Sequence, residues 1–252
     1  MKGDLRCLTA AETKGKGGPR IFMDAVDLVV LDMAGTTIED HGEVLTAFKS
    51  ALRKNQISIS DDFLQKWRGA SKKEVLRQVI EGQFGKESPD NPKRIDQAYG
   101  DFRHFLEDLY AREGIRPIPG AAETFKWLRE RNIRIALTTG FYRKVTDMIL
   151  RQVGWNSGAV DASICSDEVP QGRPAPYLIF RAMEATRTDN VHCVINVGDT
   201  ALDLLSGHYA GVRGIVGVLT GSQTIAHLGT VRHTHIIPSV AELPRLLEKE
   251  FV

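Results

Sequence analysis

The first organised apolar run in the chain is Leu28-Val29-Val30-Leu31, too short and too β-branched for a helix and without polar alternation. Such a run fits a central parallel strand covered on both faces. It ends abruptly on Asp32-Met33-Ala34-Gly35-Thr36-Thr37. Beyond it Val44, Leu45, Phe48 and Leu52 recur at helical spacing. Val75, Leu76, Val79 and Ile80 mark a second amphipathic helix, and Ile95, Tyr99, Phe102, Leu106 and Leu109 mark a longer third one. Almost nothing up to residue 116 reads as a strand. The pattern then switches to short apolar runs at 133–138, 162–165, 193–197, 214–219 and 235–237, which read as strands. Helices are expected between them, at 122–130, 143–153, 176–184, 202–210 and 240–249.

This alternation predicts an α/β fold, a doubly wound, Rossmann-like parallel sheet with a helical cap inserted after its first strand. The sheet core is expected from 23–40 and 117–252, the cap from 41–116, with linkers at 37–42 and 114–120. Residues 1–22 contain Lys14-Gly15-Lys16-Gly17-Gly18-Pro19 and little periodic apolar pattern, so they read as a flexible N-terminal extension. Their glycines lack the spacing of a phosphate loop, and no strand precedes them.

Composition narrows the function classes. With 252 residues, 42% hydrophobic and 26% charged, the chain can bury a sizeable core. A formal net charge of +1 gives no electrostatic reason to expect nucleic acid or an anionic membrane as partner. Cys7, Cys165 and Cys193 have no metal-ligand spacing and fit a reducing compartment, so the expected location is the cytoplasm. No apolar run approaches the ~20 residues of a membrane span. A homodimer is compatible with the sequence, which does not specify it.

The candidate chemistry lies at strand ends, where open α/β sheets bind ligands. Asp32 stands after the first strand. Ile135-Ala136-Leu137 runs into Thr138-Thr139-Gly140, the next strand is followed by Gly172-Arg173-Pro174, and Val194-Ile195-Asn196-Val197 runs into Gly198-Asp199-Thr200-Ala201-Leu202-Asp203. Together these supply a nucleophilic carboxylate, a hydroxyl, a cation and a carboxylate pair, an inventory suited to a phosphoryl group and a divalent metal. Carboxylates, a backbone carbonyl and waters satisfy Mg²⁺, which would offset repulsion between an anionic substrate and the Asp32 carboxylate. Thr139 and Arg173 would hold nonbridging oxygens where charge must be stabilised. Taken singly, Asp203 reads as a solvated helix carboxylate and Thr139 as a helix cap. His233 and His235 lack an acidic or cysteine partner and read as edge-strand residues. Trp67, Trp127 and Trp155 read as packing residues, with Trp67 close to the cap loop.

These four segments, in this order, resemble the motifs of the haloacid dehalogenase superfamily over most of the chain from about residue 23. The resemblance implies that Asp32 is the nucleophile of an aspartyl-phosphate intermediate, that Thr139 and Arg173 are the hydroxyl and cationic motifs, and that Asp32, the Ala34 carbonyl, Asp199 and Asp203 serve Mg²⁺. Thr36, Gly69 and Gly140 are the expected substrate-binding positions. Phosphatases of this superfamily carry a second aspartate two residues after the nucleophile; here that position is Ala34, whose methyl group cannot move a proton. Asp-x-Ala-Gly-Thr-Thr, Thr-Thr-Gly and Gly-Arg-Pro resemble the phosphonatase branch, the phosphonoacetaldehyde hydrolase type, in which a cap lysine forms a Schiff base with the substrate aldehyde. The segment 66–75 is similar to that branch's lysine segment and puts Lys72 on the imine-forming lysine, with Lys73 a solvated neighbour. Arg68, Val75 and Phe141 stand where the branch has methionine, histidine and tyrosine. The implied partner is a small phosphonate or phosphate ester. A phosphoglycolate-type phosphomonoesterase and a non-catalytic phosphate-metabolite binding protein are the alternative readings.

Overall fold

The structure, a computed structural model, describes residues 25–60, 63–64, 67 and 69–251. The expected flexible extension at 1–22 lies outside the described residues, as does Arg68. Six parallel strands form one sheet in the order β3-β2-β1-β4-β5-β6: β1 (Leu28–Asp32), β2 (Arg134–Thr138), β3 (Ala162–Ile164), β4 (Val194–Gly198), β5 (Gly214–Val218) and β6 (His235–Ile237). All five residues of β1 are buried, as its unbroken apolar run requires of a strand covered on both faces. β1 pairs with β2 on one side, Asp32 opposite Thr138, and with β4 on the other, Leu31 opposite Val197. Chain order reverses at β1, so the crevice beyond the ends of β1 and β4 is the topological switch point.

The pleat divides the core in two. Val29 and Leu31 join Ile135, Leu137, Ile195 and Val197 on one face. This face is covered by α4 (Ala121–Glu130), α5 (Arg143–Gln152) and α9 (Leu243–Glu250), whose apolar stripes supply Phe125, Leu128, Val145, Ile149, Leu243 and Leu247. Leu28 and Val30 point the other way with Ala136, Val194 and Ile215, under α6 (Tyr177–Thr186), α7 (Ala201–Ala210) and the short α8 (Ile225–Leu228).

Between β1 and β2 lie α1 (Glu43–Lys54), α2 (Lys72–Phe84) and α3 (Asn91–Glu113). They pack on one another through Phe48, Ala51, Leu76, Ile80, Phe102 and Leu106, each at most 1% exposed. Burying such a side chain is worth about 1.5–3 kcal/mol. These residues belong to the same apolar cluster as the first face of the sheet. The two segments that join this helical insertion to the sheet are tied together. Ile38 bridges Ala34 in parallel and Pro117 in antiparallel fashion, the Glu39 amide donates to the Arg116 carbonyl at 2.9 Å, and the Ile118 amide donates to the Thr37 carbonyl at 2.9 Å.

Sequence and structure differ in detail at the C-terminus. The helix expected at 240–249 is a 3₁₀ turn over 240–242 followed by α9, whose Pro244 sits in the first turn, where a missing N–H is tolerated. No helix of the described residues is long and apolar enough to cross a membrane.

Candidate active site

The strand ends meet at the switch point. Asp32, Asp199 and Asp203, respectively 6%, 3% and 2% exposed, can each bring an oxygen within 4.8 Å of the others. The cation among them is Arg173, itself buried. Its Nη1 donates to Asp32 Oδ1 at 2.6 Å, its Nη2 to Thr138 Oγ1 at 2.7 Å, and its Nε lies 2.8 Å from Asp203 Oδ1. Three of the five guanidinium N–H donors are thereby committed to protein. Arg173, read from sequence as a holder of substrate oxygens, bridges two carboxylates.

Asp203 is held from both sides. Besides Arg173 it accepts the Thr200 amide at 3.0 Å and the Thr200 hydroxyl at 2.5 Å, while its own amide donates to Thr200 Oγ1, forming a reciprocal capping box at the start of α7. It is a buried cap residue, not the solvated carboxylate that the sequence taken singly indicates. Asp199 Oδ2 accepts the Ser222 amide at 3.0 Å, and Thr36 Oγ1 lies 3.5 Å from Oδ1.

Three carboxylates against one guanidinium leave excess negative charge in a buried space, and the acids titrate accordingly. Burial pushes the Asp32 carboxyl up to about 7, with Asp203 adding to the rise and Arg173 opposing it. Burial and then the charges of Asp32 and Asp203 hold Asp199 well above the usual carboxylate range. Burial works against the Arg173 charge, but Asp203 and Asp32 outweigh it and keep its pKa raised.

Over this cluster lies a cavity of about 90 Å³ whose wall includes Asp32, Ala34, Gly69, Lys72, Thr139, Gly140 and Arg173. Thr139 follows β2 and is 2% exposed; its Oγ1 accepts the Phe141 amide at 3.1 Å, leaving the hydroxyl proton available for donation. It is therefore a turn residue and not the helix cap read from sequence, because α5 begins only at Arg143. Gly69 has φ +82°, and a Cβ on it would stand 2.5 Å from Thr200 Oγ1; a Cβ on Gly140 would stand 3.1 Å from the Gly69 carbonyl oxygen. Backbone thus meets backbone where the insertion touches the sheet. Lys72 opens α2, half-buried at the cavity wall, and its Nζ donates to the Ala70 carbonyl at 3.1 Å. Lys73 is exposed and pairs with Asp96 at 3.0 Å, the solvated role expected of it. Trp67 also lines the cavity, and His235 lies on the edge strand β6.

The sequence reading missed the loop after β5. Its Thr220 hydroxyl donates to the Gly35 carbonyl at 2.7 Å, and its Ser222 amide holds Asp199. The signal was available: Thr220-Gly221-Ser222 repeats the glycine-and-hydroxyl pattern that marks the other strand ends. Thr200 was also passed over, although Thr-x-x-Asp is the signature of a cap.

A family model described as haloacid dehalogenase-like hydrolase matches residues 26–211. A protein from Bacteroides fragilis named phosphonoacetaldehyde hydrolase is 30% identical over 234 residues, covering 90% of this chain and 88% of that protein. Among solved structures, a hydrolase from Pseudomonas syringae superposes with a TM-score of 0.78 at 18% identity, over 90% of this chain and 100% of the other. A phosphonoacetaldehyde hydrolase like protein from Oleispira antarctica gives 0.77 at 20% identity, over 90% and 93%. At those identities the two structures establish likeness of fold.

Proposed function

The chain belongs to the haloacid dehalogenase-like hydrolase family, and on that premise we propose that it is a magnesium-dependent phosphonatase of the phosphonoacetaldehyde hydrolase type, working through an aspartyl-phosphate intermediate. The observation that carries the proposal is the presence in one small cavity of a buried carboxylate, Asp32, and a half-buried amine, Lys72, with the methyl group of Ala34 where a leaving alcohol would need an acid. The helical insertion, residues 41–116, serves as the cap that brings Lys72 to the core formed by 23–40 and 117–252.

The donor set fits magnesium. Hard oxygen ligands in a buried cluster with uncompensated negative charge are what Mg²⁺ favours. Asp32, Asp199 and the Ala34 carbonyl would hold the ion; Asp203, its oxygens engaged by Thr200 and Arg173, would fix the cluster's shape. When bound, the ion supplies the countercharge that lets an anionic substrate approach Asp32.

The remaining chemistry belongs to this chain's own side chains. Lys72 condenses with the substrate aldehyde to a protonated imine, releasing water. Asp32 attacks phosphorus, the carbon–phosphorus bond breaks, and its electron pair flows into the imine to give an enamine. No alcohol leaves, so no acid is required at position 34. Arg173 orients the attacking carboxylate through its 2.6 Å bond to Oδ1. Thr139 and the backbone at Gly69 and Gly140 hold the phosphoryl oxygens; Thr36, expected beside them, is fully buried off the cavity wall, with its hydroxyl turned to Asp199. The enamine takes a proton on the carbon that lost phosphorus and becomes a protonated imine again; water then hydrolyses the aspartyl phosphate and the imine, restoring both groups.

Phosphate release from a panel of phosphonates and phosphate esters, run beside borohydride trapping with phosphonoacetaldehyde and peptide mapping, tests this reading. Trapping is expected to label Lys72, leave Lys73 unmodified and stop activity. Ester hydrolysis without a labelled lysine would replace the proposal by a phosphoglycolate-type monoesterase. Binding of these compounds with no phosphate release from any would make the chain a phosphate-metabolite binding protein.

A further inference from the structure

Making an imine from an ammonium group and an aldehyde requires a proton to leave nitrogen and protons to reach the departing oxygen. Neither Ala34 nor the buried Val75, both on the cavity wall, carries a proton to give. The ionisable side chains lining the cavity among the described residues are Asp32, Asp40, Lys72, Arg173 and Asp199. Asp32 and Arg173 are locked to each other, and Asp199 belongs to the carboxylate cluster. Asp40 has no role in the phosphoryl chemistry described above.

We propose that Asp40 is the proton-transfer residue for imine formation at Lys72, an inference that rests on the phosphonatase reading. Asp40 is half-buried and lies between the tied crossing segments and α1. Its Oδ1 accepts the Gly42 amide at 2.9 Å, which fixes the carboxylate in a turn, and its Oδ2 has no hydrogen-bond partner among the described residues. Its charge acts on Asp199 below and on Tyr110 of α3, whose buried hydroxyl lacks a hydrogen-bond partner among the described residues. Glu43 is the other acid beside Tyr110, and it is turned to the His41 amide at 2.7 Å. Asp40 therefore stands between the insertion and the carboxylate cluster, on the same small cavity as the Lys72 amine.

In the step itself, Asp40 takes one proton from the Lys72 ammonium. The neutral amine adds to the carbonyl carbon, forming the C–N bond while the carbonyl π pair moves to oxygen. Asp40 passes its proton to that oxygen and takes a second from nitrogen. It returns this second proton as the C–O bond breaks, water departs, and the nitrogen lone pair closes the C=N bond. One ammonium and one aldehyde yield one protonated imine and one water, with Asp40 again a carboxylate.

Asp40→Asn keeps the oxygen that accepts from Gly42 and removes the carboxylate that takes up and releases protons. Borohydride trapping of phosphonoacetaldehyde on Lys72 is expected to slow by about 10²-fold or more, and Asp40→Glu is expected to recover part of the rate. Asp40→Ser, whose hydroxyl can also accept from Gly42, gives the same reading should Asn disturb the turn. Wild-type trapping rates in Asp40→Asn or Asp40→Ser would overturn the assignment. A wild-type enzyme that releases phosphate with no lysine labelled would overturn the phosphonatase reading, and this inference with it.

Discussion

At the scale of single residues the site is defined by crowded charge. Asp32→Asn leaves an amide oxygen to accept from Arg173 but removes the carboxylate proposed to attack phosphorus, so phosphate release is expected to fall below about 10⁻³ of the wild-type rate. The same change relieves repulsion among three buried acids, so the metal-free variant should melt higher than the wild type. A lower melting temperature in EDTA would show that the ion pair with Arg173 outweighs the repulsion. Ala34→Asp reverses both effects: it adds a fourth carboxylate, lowers metal-free stability, and supplies the acid that a leaving alcohol needs. Phosphomonoester hydrolysis should rise in the presence of Mg²⁺, and its failure to rise in a folded variant would mean that leaving-group protonation is not what limits that reaction. Asp32, Thr139 and Asp199 were legible in the sequence because an apolar run ending on a polar cluster is a local signal. The engagement of Arg173 was not. Its contact with Asp32 spans 141 positions, and nothing local distinguishes an arginine that binds substrate from one that clamps two acids.

At the scale of elements, strands and helices follow the apolar periodicity closely, because the 2.0 and 3.6 repeats dictate which faces can be buried together. The misses have a common cause. The four-residue α8 is too short to show a period, and the turn over 240–242 differs from a helix only in how its backbone bonds close. The contact between the loop around Gly69 and the sheet is equally invisible in sequence, yet it leaves no room for a side chain. Gly69→Ala places a methyl group 2.5 Å from Thr200 Oγ1 at a positive φ, which lifts the loop and the Lys72 that follows it. A loss in kcat/KM of about 10-fold or more is expected, beside a stability loss of about 1–2 kcal/mol from a Cβ at positive φ. Lost stability with wild-type kcat/KM in the folded protein would instead mark Gly69 as a folding residue. Between the start of α5 and the insertion, Tyr142 Oη donates to Glu107 of α3 at 2.7 Å. Tyr142→Phe should cost about 1 kcal/mol of stability, measurable by denaturant titration, because Glu107 keeps its pair with Lys144.

At the scale of the whole molecule, the buried acids make stability depend on pH and on metal. Asp32 titrates near 7 in the folded state, against about 3.9 when unfolded. The folded protein therefore holds more protons than the unfolded one between those values, and stability falls as pH rises through this window, levelling off above it. Asp199, raised by the same causes, acts with the same sign. Asp101, Glu107 and Glu168 are shifted downward by their partners, so their contribution is lost only in more acidic solution. Metal-free protein is expected to melt higher at pH 5.5 than at pH 8, and Mg²⁺ to raise the melting temperature most at pH 8, where it replaces the lost protons. A melting temperature in EDTA that does not change between these values would contradict the shifts. Chelation should also abolish turnover, and Mg²⁺ restore it.

The paired crossing at Ile38 and Pro117 has a consequence for how this architecture diversifies. The insertion leaves the sheet and returns to it at neighbouring, hydrogen-bonded positions, so β1 and β2 experience its whole length as little more than a turn. Length and composition can change beyond that crossing without altering the register of Asp32 against Thr138, since loop-closure cost grows only as the logarithm of length. The chain is thereby separable into two heritable parts. On the proposed function, the sheet and its carboxylates would carry the treatment of phosphorus, and the stretch between the crossings, which brings Asp40, Gly69 and Lys72, could be rewritten to choose the molecule that delivers it.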